Sequence, residues 1–208
     1  MLHFEAVEPG LISLLKELMK IPELEHFALV GGSALALRYG HRNSVDIDLF
    51  YHKEFDHSRL ITALEDAFGN RFSYKHQHTK FGIFCFIDNV KVDLVHYPHP
   101  LIKPHESIDV MRFYQNSDIA AMKIQAILGR AKKKDFWDLH ELLLHYSLQQ
   151  LMDWHKEKYP NQMLAISIPH AITYFTEADE SETPVSFKGQ TWKQIKKDIS
   201  KVVSDYLK

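Results

Sequence analysis

A chain of 208 residues, 45% of them hydrophobic, is long enough to bury a core as one domain or as two lobes sharing an interface. Its formal net charge of -2 excludes the global basic field of a generic nucleic-acid binder, so any polyanion must meet a local patch. Cys85 is the only cysteine, which excludes an internal disulfide; with no export signal in "MLHFEAVEPG" and no stretch of the ~20 apolar residues that a membrane span needs, the expectation is a cytoplasmic protein without membrane contact.

Residues 9–20, "PGLISLLKELMK", place Leu11, Ile12, Leu14, Leu15 and Leu18 at helical spacing behind Pro9, which predicts an amphipathic packing helix. "HFALVGG" predicts a short strand ending in glycines, and "SALALRYG" a helix from Ser33 to Gly40. In "SVDIDLFY" the alternation puts Val45, Ile47 and Leu49 on one face of a strand and Asp46 and Asp48 together on the other. "DHSRLITALEDAFG" predicts a surface helix, followed by strands in "FSYKHQHTKFGIFCFIDNVKVDLVHY", the last two joined at Asp88-Asn89. There Val92, Leu94 and His96 share a face, leaving Asp93 on the other with Val95. From Ser117 the pattern is helical, interrupted by a lysine-rich run at 129–134 and resuming at 136–144. The acidic stretch "EADESETPVS" predicts an exposed loop before a last helix in "QTWKQIKKDISKVVSDYL".

Carboxylates sharing one strand face repel when partly buried, and a cation held between them is the usual compensation. Oxygen ligands suit a hard divalent ion, and with Asp93 added to Asp46 and Asp48 the set can hold two magnesium ions ~4 Å apart for in-line phosphoryl displacement. The "GGS" turn at 31–33 complements them, since Gly32 and Ser33 open a helix whose backbone N–H groups can approach a triphosphate. Ser33 has a plainer use as a helix N-cap, and Asp135 likewise lies where a helix restarts. His41 and Arg42 stand before the carboxylates, within reach of a phosphate, although loop basics are ordinarily solvated. Fourteen histidines raise the question of zinc, but "HQH" at 76–78 and "HYPH" at 96–99 complete no four-ligand set. Arg130 with Lys132, Lys133 and Lys134 forms the dense basic run, a solvated connection or a contact to RNA or a triphosphate.

Gly32-Ser33, Asp46-x-Asp48 and a later strand Asp93 resemble the nucleotidyltransferase superfamily of DNA polymerase beta. More narrowly, "GGSALALRYGHRNSVDIDLF" with "KIQAILGRAKKKDFWDL" resembles the AbiEii/MenT-type toxins of type IV toxin–antitoxin systems, over roughly residues 27–145. The resemblance implies an α+β fold: a polymerase beta-like lobe at 1–105, a mixed sheet flanked by helices, and a helical lobe at 106–208 that completes the cleft. It implies transfer of a nucleoside monophosphate from an NTP to an acceptor hydroxyl, with Mg2+ or Mn2+ on Asp46, Asp48 and Asp93. By the same resemblance Lys123 contacts the nucleotide phosphates and Asp135 is a base or organises the site. Where the family carries arginine before that aspartate, this chain has Lys134, a point charge in place of a fork. The implied partners are an RNA acceptor at a tRNA 3' end and a cognate antitoxin. The alternatives are a nucleotidyltransferase acting on a small molecule and a catalytically silent member that only binds nucleotide or RNA.

Overall fold

The computed structural model describes residues 1–75 and 79–208; the "HQH" histidines at 76–78 lie outside the described residues. In chain order the elements are α1 (Pro9–Leu18), β1 (Ala28–Leu29), α2 (Gly31–Tyr39), β2 (Ile47–Tyr51), α3 (His57–Phe68), β3 (Phe72–Tyr74), β4 (Gly82–Ile87), β5 (Val90–His96), β6 (Glu106–Ile108) and β7 (Met111–Phe113). There follow α4 (Asn116–Arg130), α5 (Lys133–Leu143), α6 (Leu148–Lys158), the single turns α7 (Ile168–Ala171) and α8 (Thr176–Asp179), and α9 (Trp192–Tyr206). The class is α+β, and the strands form one mixed sheet in the order β3-β4-β5-β2-β1-β7-β6.

Alternation decides which side of that sheet is core. Ile47 and Leu49 of β2, Val92 and Leu94 of β5, and Ile83 and Ile87 of β4 are all fully buried, while the intervening residues of β2 and β5 carry the acidic side chains. Helix α3 covers the β3–β4 end of the sheet with Leu60, Leu64 and Phe68, its first turn capped by the Asp56 carboxylate accepting from Arg59 N–H. Asp88 and Asn89, with φ of 50° and 64°, make the two-residue turn between β4 and β5, a conformation that short polar side chains tolerate.

Past the sheet, α4 packs along α6 and α5, and α9 closes over α5. One hydrophobic core runs through both regions, from Leu11 and Leu29 to Trp137 and Ile199. β7 joins β1 in parallel at Leu29–Phe113 and carries β6 with it, so two strands of the sheet lie beyond the expected boundary at residue 105.

Four local expectations are revised. Helix α2 starts at Gly31, two residues before Ser33. Val45 precedes β2 and is exposed, so the buried face begins at Ile47. Helix α4 runs through Gly129 to Arg130 and breaks only where Ala131 takes a left-handed φ of 40°. The stretch at 185–187 is stitched to residues 41–43: Asn43 N–H donates to the Val185 carbonyl and Phe187 N–H to that of His41, each within 3.1 Å.

Candidate active site

β2 and β5 run parallel with Asp48 directly beside Asp93, and Asp46 stands one residue before β2 on the same side of the alternation. All three aspartates line one cleft of about 530 Å³. Burial, then the neighbouring Asp93, raises the Asp48 carboxyl above its ordinary range against the opposing pull of Lys91 and Lys123. Asp93 pairs through one oxygen with Lys91, and its buried Oδ1 has no hydrogen-bond partner among the described residues. Among the described residues no three His, Cys, Asp or Glu side chains are drawn together as a ready-made metal cage. The donor set is nevertheless all oxygen, and its orphaned Oδ1 and desolvated Asp48 fit a hard cation.

The glycine pair is explained by what touches it. At Gly31, with φ of 69°, a Cβ would stand 2.8 Å from Asp48 Oδ2; at Gly32 it would stand 2.2 Å from Arg42 Nη2. The start of α2 is thus clasped between a carboxylate and a guanidinium, and only a backbone without side chains fits. Among the described residues no side chain caps this helix end, and Gly31 and Gly32 face the cleft, so first-turn N–H groups are directed where an anion can meet them. Ser33 is not the N-cap: it is buried, its hydroxyl donates to the Asp46 carbonyl, and it lies 2.9 Å from Ser44 Oγ. It pins the aspartate loop to the helix instead of lining the cleft.

The opposite wall is an ion network inside the helices. Lys123 of α4 lies 2.6 Å from Asp138 Oδ2 and 3.2 Å from Asp135 Oδ1, both carboxylates on α5 and both fully buried. Arg42 reaches the same Asp138 with Nε at 2.7 Å and Nη2 at 2.8 Å, and His41 Nε2 adds a contact at 2.8 Å. Burial would push the Asp138 carboxyl up, but Arg42 and Lys123 outweigh it and hold the group well below the carboxylate range. Lys123 is drawn down by burial and raised further by Asp138 and Asp135, so it stays charged at the cleft edge. Asp135 is held low against its burial by Lys123 and Arg130. It does not cap α5, whose N-cap is Lys132, and it does not border the cleft; it reaches the site through Lys123. Lys134 lines the cleft with its ammonium 4.0 Å from Asp46 Oδ2.

Of the residues expected at the site, Gly32, Asp46, Asp48, Asp93 and Lys123 share the cleft, while Ser33 and Asp135 lie behind it. Sequence reasoning passed over Asp138 and Lys91, and left Arg42 between a phosphate contact and a solvated loop residue; it is neither solvated nor free, being 3% exposed and held by Asp138. Asp138 did leave a signal: three residues after Asp135 on a helix, it must share that residue's face. Of the "HYPH" histidines, His96 lines the cleft and His99 packs on Tyr97 and Tyr159.

The profile of the nucleotidyl transferase AbiEii toxin family, type IV TA system, matches residues 13–205. An uncharacterised protein of Aquifex aeolicus (strain VF5) is 31% identical over 199 residues, covering 93% of this chain and 94% of its own. Among solved structures, the MenT4 nucleotidyltransferase toxin from Mycobacterium tuberculosis H37Rv superposes with a TM-score of 0.60 at 13% identity, covering 94% of this chain and 84% of its own. A candidate nucleotidyltransferase from H. pylori gives 0.54 at 17% identity, over 95% and 94%. These two share the fold of this chain, and the profile match extends across nearly its whole length, taking in the glycine turn, the three aspartates and the α4–α5 network. The chain therefore belongs to the AbiEii family of nucleotidyltransferase toxins.

Proposed function

We propose that this nucleotidyltransferase moves a nucleoside monophosphate from an NTP to a hydroxyl on RNA, at a tRNA 3' end, with the strand half (1–105) and the helical half (106–208) acting as the two sides of the cleft. The observation that carries the reading is the meeting of three carboxylates with an uncapped helix start and a charged lysine in one cavity. Asp46, Asp48 and Asp93 would hold Mg2+ or Mn2+, which when bound there supplies activation of the attacking oxygen and neutralisation of phosphate charge.

The first-turn N–H groups of α2 and the Lys123 ammonium receive the triphosphate. Asp138 keeps Arg42 and Lys123 in place, and Asp135 is a positioning residue that orients Lys123, a role that suits its burial better than proton transfer does. Aromatic Phe81 and Phe84 on the cleft wall offer stacking surface to a base, and Arg130 and Lys134, both substantially exposed, offer charge to an RNA backbone. An antitoxin made with the enzyme would complete the system. Among the described residues no helix is long and apolar enough to cross a membrane.

The test is incubation with each α-labelled NTP, divalent metal and total RNA, in parallel with RNA whose terminal diol has been oxidised by periodate, and with small hydroxylated acceptors. Label entering intact tRNA and not oxidised tRNA is the expected result. Label confined to small molecules would transfer the assignment to that class, and NTP binding without transfer to any acceptor would mark a silent member.

A further inference from the structure

Lys91 is a charged side chain of the cleft that the scheme above leaves without a task. It lies on β5 two residues before Asp93, on the same face, and its ammonium pairs with Asp93 Oδ2. Both line the cleft, and the carboxylate side chain is 13% exposed and the lysine 44%, so the cation is the more open member of the pair. Asp48 stands directly across from Asp93 on β2, so this one ammonium faces a cluster rather than a single acid.

An oxygen that accepts from an ammonium is not free to coordinate an ion, and a fixed positive charge a few ångströms away opposes a second one. Lys91 also has somewhere to go. It borders a second hollow of about 320 Å³, lined by Ser73 and Lys75 from the β3 edge and by Phe84 and Phe86 of β4, the last being its cross-strand neighbour. A four-carbon stem can swing from Asp93 into that hollow without moving the strand, and Phe86, half exposed, gives it an apolar surface to lie along.

We infer that Lys91 is a built-in counter-ion of the carboxylate cluster, displaced when a divalent cation binds, and that it thereby sets the metal affinity of the free enzyme. The inference rests on the proposed reading of Asp46, Asp48 and Asp93 as metal ligands. Its consequence is order: the nucleotide-free cleft holds metal weakly, and the negative charge that an NTP brings offsets the opposition of Lys91, so metal and nucleotide load together. Lys91 is a positioning residue in this scheme, not a ligand.

The experiment measures Mn2+ binding to the nucleotide-free protein, by calorimetry or by the spin-resonance signal of free Mn2+. The proteins compared are wild type, Lys91→Met, Lys91→Gln, Lys91→Arg and Asp48→Asn, each checked for a cooperative melt. Lys91→Met and Lys91→Gln, the latter retaining a hydrogen-bond donor for Asp93, should bind Mn2+ at least about tenfold more tightly than wild type, because a nearby unit charge has been removed. Lys91→Arg, which keeps the charge, should stay within about threefold. Equal or weaker binding by both neutral variants overturns the counter-ion role while wild-type binding that vanishes in Asp48→Asn still upholds the metal site. Absence of Mn2+ binding in every protein, with or without ATP, removes the metal reading and this inference with it. Unchanged Mn2+ affinity joined to weaker NTP binding in the neutral variants would make Lys91 a phosphate ligand instead, which also overturns the inference.

Discussion

At Gly31 the difference between function and clash is one carbon atom. A methyl there would meet Asp48 Oδ2 at 2.8 Å on a backbone held at φ of 69°, so Gly31→Ala should cost roughly 1–2 kcal/mol of stability and displace the carboxylate. Denaturant unfolding and transfer rate, measured on the same preparation, check both parts; a variant of wild-type stability and rate would show that the turn is not clasped as described. Asp138 is the second decisive residue. It is fully buried against two cations, so Asp138→Asn leaves Arg42 and Lys123 under-compensated and should destabilise the protein by about 3–5 kcal/mol. The pH dependence has a definite sign. A carboxyl held below its unfolded value contributes stability that is complete above about pH 4 and lost as pH falls toward the depressed value. Wild-type unfolding free energy should therefore fall in that acid window, and the Asp138→Asn curve should be flatter there. Parallel curves would assign the acid sensitivity to other groups.

Elements differ in how plainly they announce themselves. The β4–β5 hairpin was legible because Asp88-Asn89 supplies the left-handed turn between an apolar run, GIFCFI, and the alternating start of β5, and α1, α3 and α9 were legible from apolar spacing with Pro9, Asp56 and Thr191 at their starts. β1, two residues long, was legible as a short apolar run ending in glycines, whereas β6 and β7, three residues each, are too short for an alternation to emerge, and their pairing is decided by the sheet they join. The 41–43 and 185–187 pairing unites irregular segments far apart in the chain, which no local pattern can signal. The same holds for Arg42 and Asp138, separated by 96 positions: a loop arginine and a helix aspartate each have an ordinary solvated use, and only tertiary contact turns them into a buried clamp. Asp46 and Asp48 were legible because acids two residues apart on one strand must share a face; Asp93 stood out as an acid interrupting a later apolar strand, and its place beside Asp48 comes from the β2–β5 register. The α4–α5 junction carries its own prediction. Ala131 adopts φ of 40° and ψ of 61° at the end of α4, a place where glycine is preferred, so Ala131→Gly should raise stability by up to about 1 kcal/mol with the helices unchanged. A loss of stability in chemical denaturation would mean that the alanine methyl contributes more packing than its backbone costs.

On the scale of the whole molecule, the cleft is built by sheet and helices together. Strands bring the carboxylates, α2 brings its uncapped start, and α4 brings a lysine whose charge is maintained by α5. Lys123→Met should accordingly raise the KM for NTP and lower stability through the stranded Asp135–Asp138 pair; unchanged KM and stability would confine the site to the sheet. The central claim is that the three strand carboxylates form the reacting end of a nucleotidyl-transfer site, and Asp48 tests it most directly because Gly31 and Asp93 both pack against it. The measurement is the initial rate of pyrophosphate release from NTP, with saturating divalent metal and acceptor RNA, for wild type and Asp48→Asn. Rate loss on the order of 10³-fold or more, equivalent to about 4 kcal/mol of transition-state stabilisation, is expected in a variant that melts at or above the wild-type temperature, since a desolvated like-charge neighbour has been removed. A folded Asp48→Asn enzyme releasing pyrophosphate within about tenfold of the wild-type rate, a difference of some 1.4 kcal/mol, would contradict it.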